Sequence, residues 1–172
     1  ETTGPGSLAQ AIINANFHPG PDSVTFNISG NPPFLILGTS LPVSIGPITI
    51  DATTQPGFAG APLVEIRRIG TGVSDGLILA GGSSTVKGLV FTNFLGAGLV
   101  LQSAGNTVQG NYFGTTPSGT AVLANTVGIR VESSGNLIGG GLGARNIISG
   151  NTDSGVLLFG TAASGNTIQG NF

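Results

Sequence analysis

Gly128-Ile129-Arg130-Val131, followed by Asn136-Leu137-Ile138-Gly139-Gly140, is the stretch on which the fold turns, because both units recur on either side of it. The first unit, glycine–apolar–any–apolar, also reads Gly76-Leu77-Ile78-Leu79, Gly98-Leu99-Val100-Leu101 and Gly155-Val156-Leu157-Leu158. Its starts lie 22, 30 and 27 residues apart. The second unit follows each one: Ser84-Thr85-Val86-Lys87-Gly88, Asn106-Thr107-Val108-Gln109-Gly110 and Asn166-Thr167-Ile168-Gln169-Gly170. A related copy, Asn146-Ile147-Ile148-Ser149-Gly150-Asn151, sits ten residues after Asn136. Unit order is kept while spacing varies, as in a stacked repeat whose insertions bulge outward. A turn of this length with two or three strands predicts an all-β chain, a right-handed parallel β-helix or solenoid. Leucine-rich repeats would need a helix or its equivalent in each unit, and a propeller would need a longer period.

Working outward, nine of the ten prolines fall within residues 1–62, which predicts an irregular first third. One segment has helical spacing. Ser7 is a suitable N-cap, Leu8, Ala11 and Ile12 share a face, and Pro19 and Pro21 stop extension, so a helix is expected over about 7–16. Val24, Phe26 and Ile28 alternate with polar residues as a strand would. The chain thus divides into a capping helix with its leading loop (1–22), irregular first coils (23–75) and regular coils (76–172). The last of these stops inside a repeat unit, so its end is expected to be uncapped.

Composition excludes several functions. Five basic and seven acidic side chains among 172 residues are too few for a nucleic-acid binder or a charged helical bundle. No apolar run is long enough for a transmembrane helix. Cysteine is absent, which removes disulfides, thiolate metal sites and a cysteine nucleophile. Methionine is absent too, so the chain is expected to be a processed product, as mature secreted proteins are, an excised piece of a longer chain, or an incomplete reading.

Gly4-Pro5-Gly6-Ser7-Leu8-Ala9-Gln10-Ala11-Ile12, Ile50-Asp51-Ala52-Thr53-Thr54-Gln55-Pro56-Gly57-Phe58 and the Asn-Thr-Val-Gln-Gly-Asn units resemble a known group. It comprises secreted bacterial and archaeal surface proteins with pectate-lyase-like right-handed β-helix repeats. Many carry an N-terminal Ser-Leu-Arg-Gln/Glu-Ala-Ile motif, and here Ala9 stands at the basic position. The resemblance implies an extracellular or cell-surface location and a helix that caps the first coil. It transfers no catalytic residue.

Stacking aligns equivalent residues. With Arg130 and Glu132 outward, Leu77, Leu99, Ile129 and Val156 point inward, as do Leu79, Leu101, Val131 and Leu158. Val86, Val108, Ile138 and Ile168 form a second wall. Asn106, Asn136 and Asn166 are expected to form a structural ladder at one corner, bonding to turn backbone and tolerating left-handed geometry. The outward row is unusually apolar. Ile78, Val100, Leu157 and Phe159, with Phe172, are candidates for self-association, unless a loop such as 112–125 covers that face.

Catalysis in this fold class needs clustered carboxylates, and here the acids (Glu1, Asp22, Asp51, Glu65, Asp75, Glu132, Asp153) are scattered. Arg130, Glu132, Arg145 and Asp153 are the one set that could meet, and Glu65 with Arg67 reads as a same-face ion pair. His18 reads as a solvated loop residue, and the repeated glycines as turn chemistry. No catalytic, cofactor or metal residue is assigned. The expected function is a non-enzymatic extracellular structural protein that assembles with copies of itself into a fibre, sheath or surface layer. The alternatives are a glycan-binding adhesin segment of a longer surface protein and a polysaccharide lyase or hydrolase.

Overall fold

The computed structural model describes residues 4–172, and Glu1 lies outside them. Strands dominate. They are β1 (Asp22–Thr25), β2 (Phe34–Gly38), β3 (Ile48–Asp51), β4 (Val64–Arg68) and β5 (Leu77–Leu79). Next come β6 (Thr85–Lys87), β7 (Leu89–Thr92), β8 (Ala97–Leu101), β9 (Thr107–Gln109) and β10 (Tyr112–Phe113). The last are β11 (Val127–Val131), β12 (Leu137–Gly139), β13 (Ile147–Ile148), β14 (Ser154–Leu158) and β15 (Thr167–Gln169).

All named strands pair in parallel, in three sheets. The first sheet runs β1-β3-β6-β9-β12-β15, the second β2-β4-β7-β10-β13 and the third β5-β8-β11-β14. From β5 onward the chain visits third, first and second sheet in that order, one strand at a time. Register is kept between neighbours: Leu77 faces Leu99, Leu99 faces Ile129, and Ile129 faces Val156.

The expected inward rows are buried as far as β12, whereas Val156 is partly buried and Leu158 and Ile168 are exposed. Leu77, Leu99, Ile129, Leu79, Leu101, Val131, Val86, Val108 and Ile138 are buried in one core that all three sheets share. From the second sheet, Phe91 and Phe113 stack in that core with ring centroids 5.0 Å apart and planes within 5°. Parallel register places like residues over one another, and offset aromatic stacking is favourable at this distance.

The helix α1 spans Leu8–Phe17, one residue later than predicted at each end. The Ser7 hydroxyl accepts from the Gln10 amide at 3.1 Å and donates to the Gly4 carbonyl at 2.8 Å. Leu8, Ala9 and Ile12 enter the core. The Asn16 carboxamide fixes the helix end to the next segment, donating to the Val43 carbonyl and accepting from the Ile45 amide. His18 is exposed, and its Nδ1 lies 2.7 Å from the Asn14 carbonyl.

The strand predicted from Val24 to Ile28 ends at Thr25. Beyond it, side chains replace a partner strand. The Phe26 amide donates to the Thr54 hydroxyl, and Ile28 exchanges two hydrogen bonds with the Gln55 carboxamide. An alternating pattern alone does not reveal that substitution.

Candidate functional site

The predicted asparagine ladder exists and is one of three. At the first corner the Asn136 Oδ1 accepts from the Asn106 backbone amide and side-chain Nδ2, both at 2.9 Å. Asn166 does the same for Asn136 at 2.8 and 2.9 Å. Ser84 begins the series, its amide donating to the Asn106 Oδ1 at 3.0 Å. The second ladder is Asn111, Asn146 and Asn171, and the third is Asn125 and Asn151. Each carboxamide also donates sideways to a backbone carbonyl, such as those of Val86, Val108 and Phe91. A buried turn leaves amide groups that the strands cannot satisfy, and one asparagine per turn serves both donor and acceptor. Asn111, Asn146 and Asn171 each follow the first ladder's rung by five or ten residues, a regularity present in the sequence.

Left-handed backbone at the first corner belongs to the residue before the asparagine. Gly105, Gly135 and Gly165 have φ of 75°, 67° and 61°, and Ser83 takes the equivalent place at 49°. The glycines that open the repeats play a different part, which corrects their assignment to turns. Gly76, Gly98 and Gly128 do not have left-handed φ. A Cβ on Gly76 would collide with the Gly98 carbonyl, and one on Gly128 with that of Gly155. Close approach of successive layers, and not turn geometry, demands glycine there.

The outward row of the third sheet is not an open apolar patch. Val100 is fully buried, with Ala97 and Val127, and Ile78 and Leu157 pack half-buried against this small cluster. Arg130 extends over the row. Its guanidinium grips Asp75 at 2.8 and 3.1 Å while its Nε donates to Glu132 at 2.7 Å. Since Arg130 faces Val100 and Val100 faces Ile78, the side chain crosses β8 to reach the turn before β5. Burial works against the charged form of Arg130, and the hydrogen bonds and attraction of Asp75 and Glu132 outweigh it, so its pKa is raised. The 112–125 loop covers a different sheet: Gly119 rests against Tyr112 and Ile147 of the second. Phe159 and Phe172 are 60% and 68% exposed.

The other predicted charge contacts resolve plainly. Arg67 makes a two-pronged bond to the buried Glu65, at 2.7 and 2.9 Å, and Thr92 donates to the same carboxylate at 2.6 Å. Arg145 and Asp153 do not join Arg130 and Glu132. Asp153 accepts from the neighbouring Ser154, and the Arg145 guanidinium lies over the Phe172 ring, 4.7 Å from its centroid. No three metal-ligating side chains gather among the described residues, and no described helix is long and apolar enough to cross a membrane.

A groove of about 540 Å³ runs along the corner between the first and second sheets, where Lys87, Gln109, Tyr112, Arg145 and Phe58 meet. Lys87 is held at its foot by Asp51, 2.9 Å away. Burial raises the Asp51 pKa, but hydrogen bonds from Thr53 and the bond and charge of Lys87 outweigh it, leaving the carboxyl below its ordinary value. Comparison with known proteins found no matching family model, no similar curated protein and no similar solved structure.

Proposed function

We propose that the chain is a right-handed parallel β-helix that serves as a structural module on an extracellular surface and assembles with copies of itself. Three wholly parallel sheets visited in fixed order support the solenoid. Parallel crossovers within one sheet are right-handed in about 98% of cases, which supports the handedness. A structural role is supported by the three asparagine ladders, which engage the recurring polar side chains in bonds between layers. The extracellular location rests on the resemblance to secreted surface proteins.

The observation that carries self-assembly is exposed apolar surface on a chain with few charges. Leu95, Val122 and Phe159 are each half or more exposed, and only 12 of the 172 residues are charged. Exposed apolar side chains favour burial against another surface, and low charge leaves little repulsion between copies. Sedimentation velocity over a concentration series tests this. Association that Phe159→Lys and Leu95→Lys abolish is the expected result. A monomer at every concentration, unchanged by either substitution, would overturn it.

A further inference from the structure

We propose that the corner groove between the first and second sheets binds an anionic oligosaccharide, with Arg145 as the residue that receives its carboxylate or sulfate group. The site is independent of the assembly proposed above.

The starting point is the use of positive charge. Arg67 pairs with Glu65, Arg130 with Asp75 and Glu132, and Lys87 with Asp51, while Arg68 donates to Ser74 and the Gly72 carbonyl. Arg145 alone among the five basic side chains donates no hydrogen bond to a described residue. It is nevertheless held in place. Its guanidinium lies on the Phe172 ring, and its Nε is shut away from solvent without a partner. The two terminal guanidinium nitrogens, fixed by stacking and left without an acceptor, are suited to a planar anion or sulfate.

The surroundings favour a sugar over a bare ion. Phe58 and Tyr112, both partly exposed, line the groove beside Arg145, and Gln109 and Lys87 add polar groups. Aromatic faces suit the apolar face of a sugar ring, while amides and cations suit its hydroxyl and acidic substituents. The lining residues come from five successive layers of the stack, a span of about 19 Å at the usual strand spacing. That accommodates a short oligosaccharide lying along the stacking direction. Leu142, 85% exposed on the turn beside Arg145, forms the rim.

Calorimetric titration of the purified chain with hyaluronan hexasaccharide (carboxylate only), heparin hexasaccharide (mostly sulfate) and the neutral chitin hexasaccharide provides the test. Saturable binding of one or both anionic sugars is expected, at least about tenfold tighter than the neutral one, as one charge-assisted contact predicts. Which anionic sugar binds more tightly identifies the acidic group. Arg145→Gln should weaken binding about tenfold or more while lowering the melting temperature only slightly, because Arg145 donates no hydrogen bond and loses only its contact with Phe172. Leu142→Asp, an exposed substitution that cannot disturb the core, should weaken it through repulsion. Binding unchanged in both variants would overturn the site, as would equal affinity for the neutral sugar or no saturable binding. Tighter binding of a single-stranded oligonucleotide than of either sugar would overturn the ligand class.

Discussion

The Arg130 guanidinium and the Asp75 carboxylate, 55 residues apart in sequence, meet in a two-pronged bond that crosses an intervening strand. Asp75 has a second duty, since its Oδ1 accepts the Ala97 amide at 2.7 Å. One carboxylate therefore joins three successive layers of the third sheet. Asp75→Ala should cost about 2 kcal/mol, the scale of hydrogen bonds to charged groups. Glu132→Ala should cost less, about 1 kcal/mol, because Glu132 holds no backbone amide and Asp75 still anchors the arginine. Urea denaturation of the two variants gives the comparison directly.

The asparagine ladder predicts a gradient along the stack. Asn136 is buried and serves Asn106 above it while donating to Asn166 below. Asn136→Ala strands the buried Asn106 amide and should cost about 2–4 kcal/mol, summing one to two unsatisfied groups. Asn166→Ala, in a more exposed layer, should cost less. Equal losses in denaturant midpoint would contradict a ladder that works through burial.

Two substitutions that exchange glycine should act in opposite directions. Gly128→Ala forces the next layer away from its backbone and should destabilise by about 3 kcal/mol, as overpacking does. Ser83→Gly should stabilise by about 0.5–1 kcal/mol, since Ser83 holds a left-handed φ that its counterparts give to glycine. Thermal melts of both proteins distinguish close approach from turn geometry as the cause of the glycine repeat.

Acid should weaken the corner held by Asp51. Its folded pKa lies below the ordinary carboxylate value of about 3.9, so its contribution is complete above that value. The contribution is lost as pH falls through the lower, folded value. The melting-temperature difference between the native chain and Asp51→Asn should be constant near neutral pH and shrink below about pH 4. A difference that grows on acidification would reverse the assigned sign.

The inward rows and the first asparagine ladder were legible because a parallel stack repeats the same chemistry at the same place in each layer. Leu99, Ile129 and Asn136 announce themselves through their counterparts. Features built from a single contact carried no such signal. Nothing repeats Arg130 reaching Asp75, or Gln55 standing in for a strand beside Ile28, so each appears only once the layers are superposed. Val100 was misjudged for the same reason: its alternation correctly put it on the outer face, but that face is roofed by Arg130 and by neighbouring apolar residues. The corner groove was invisible because Phe58, Tyr112 and Arg145 belong to different repeats and occupy different places in them.

Electron cryomicroscopy of the purified chain at neutral pH tests most directly whether these layers build a self-assembling β-helix. The account predicts filaments or ordered sheets in which each copy shows strands stacked about 4.8 Å apart. Dispersed single particles at every concentration would contradict it.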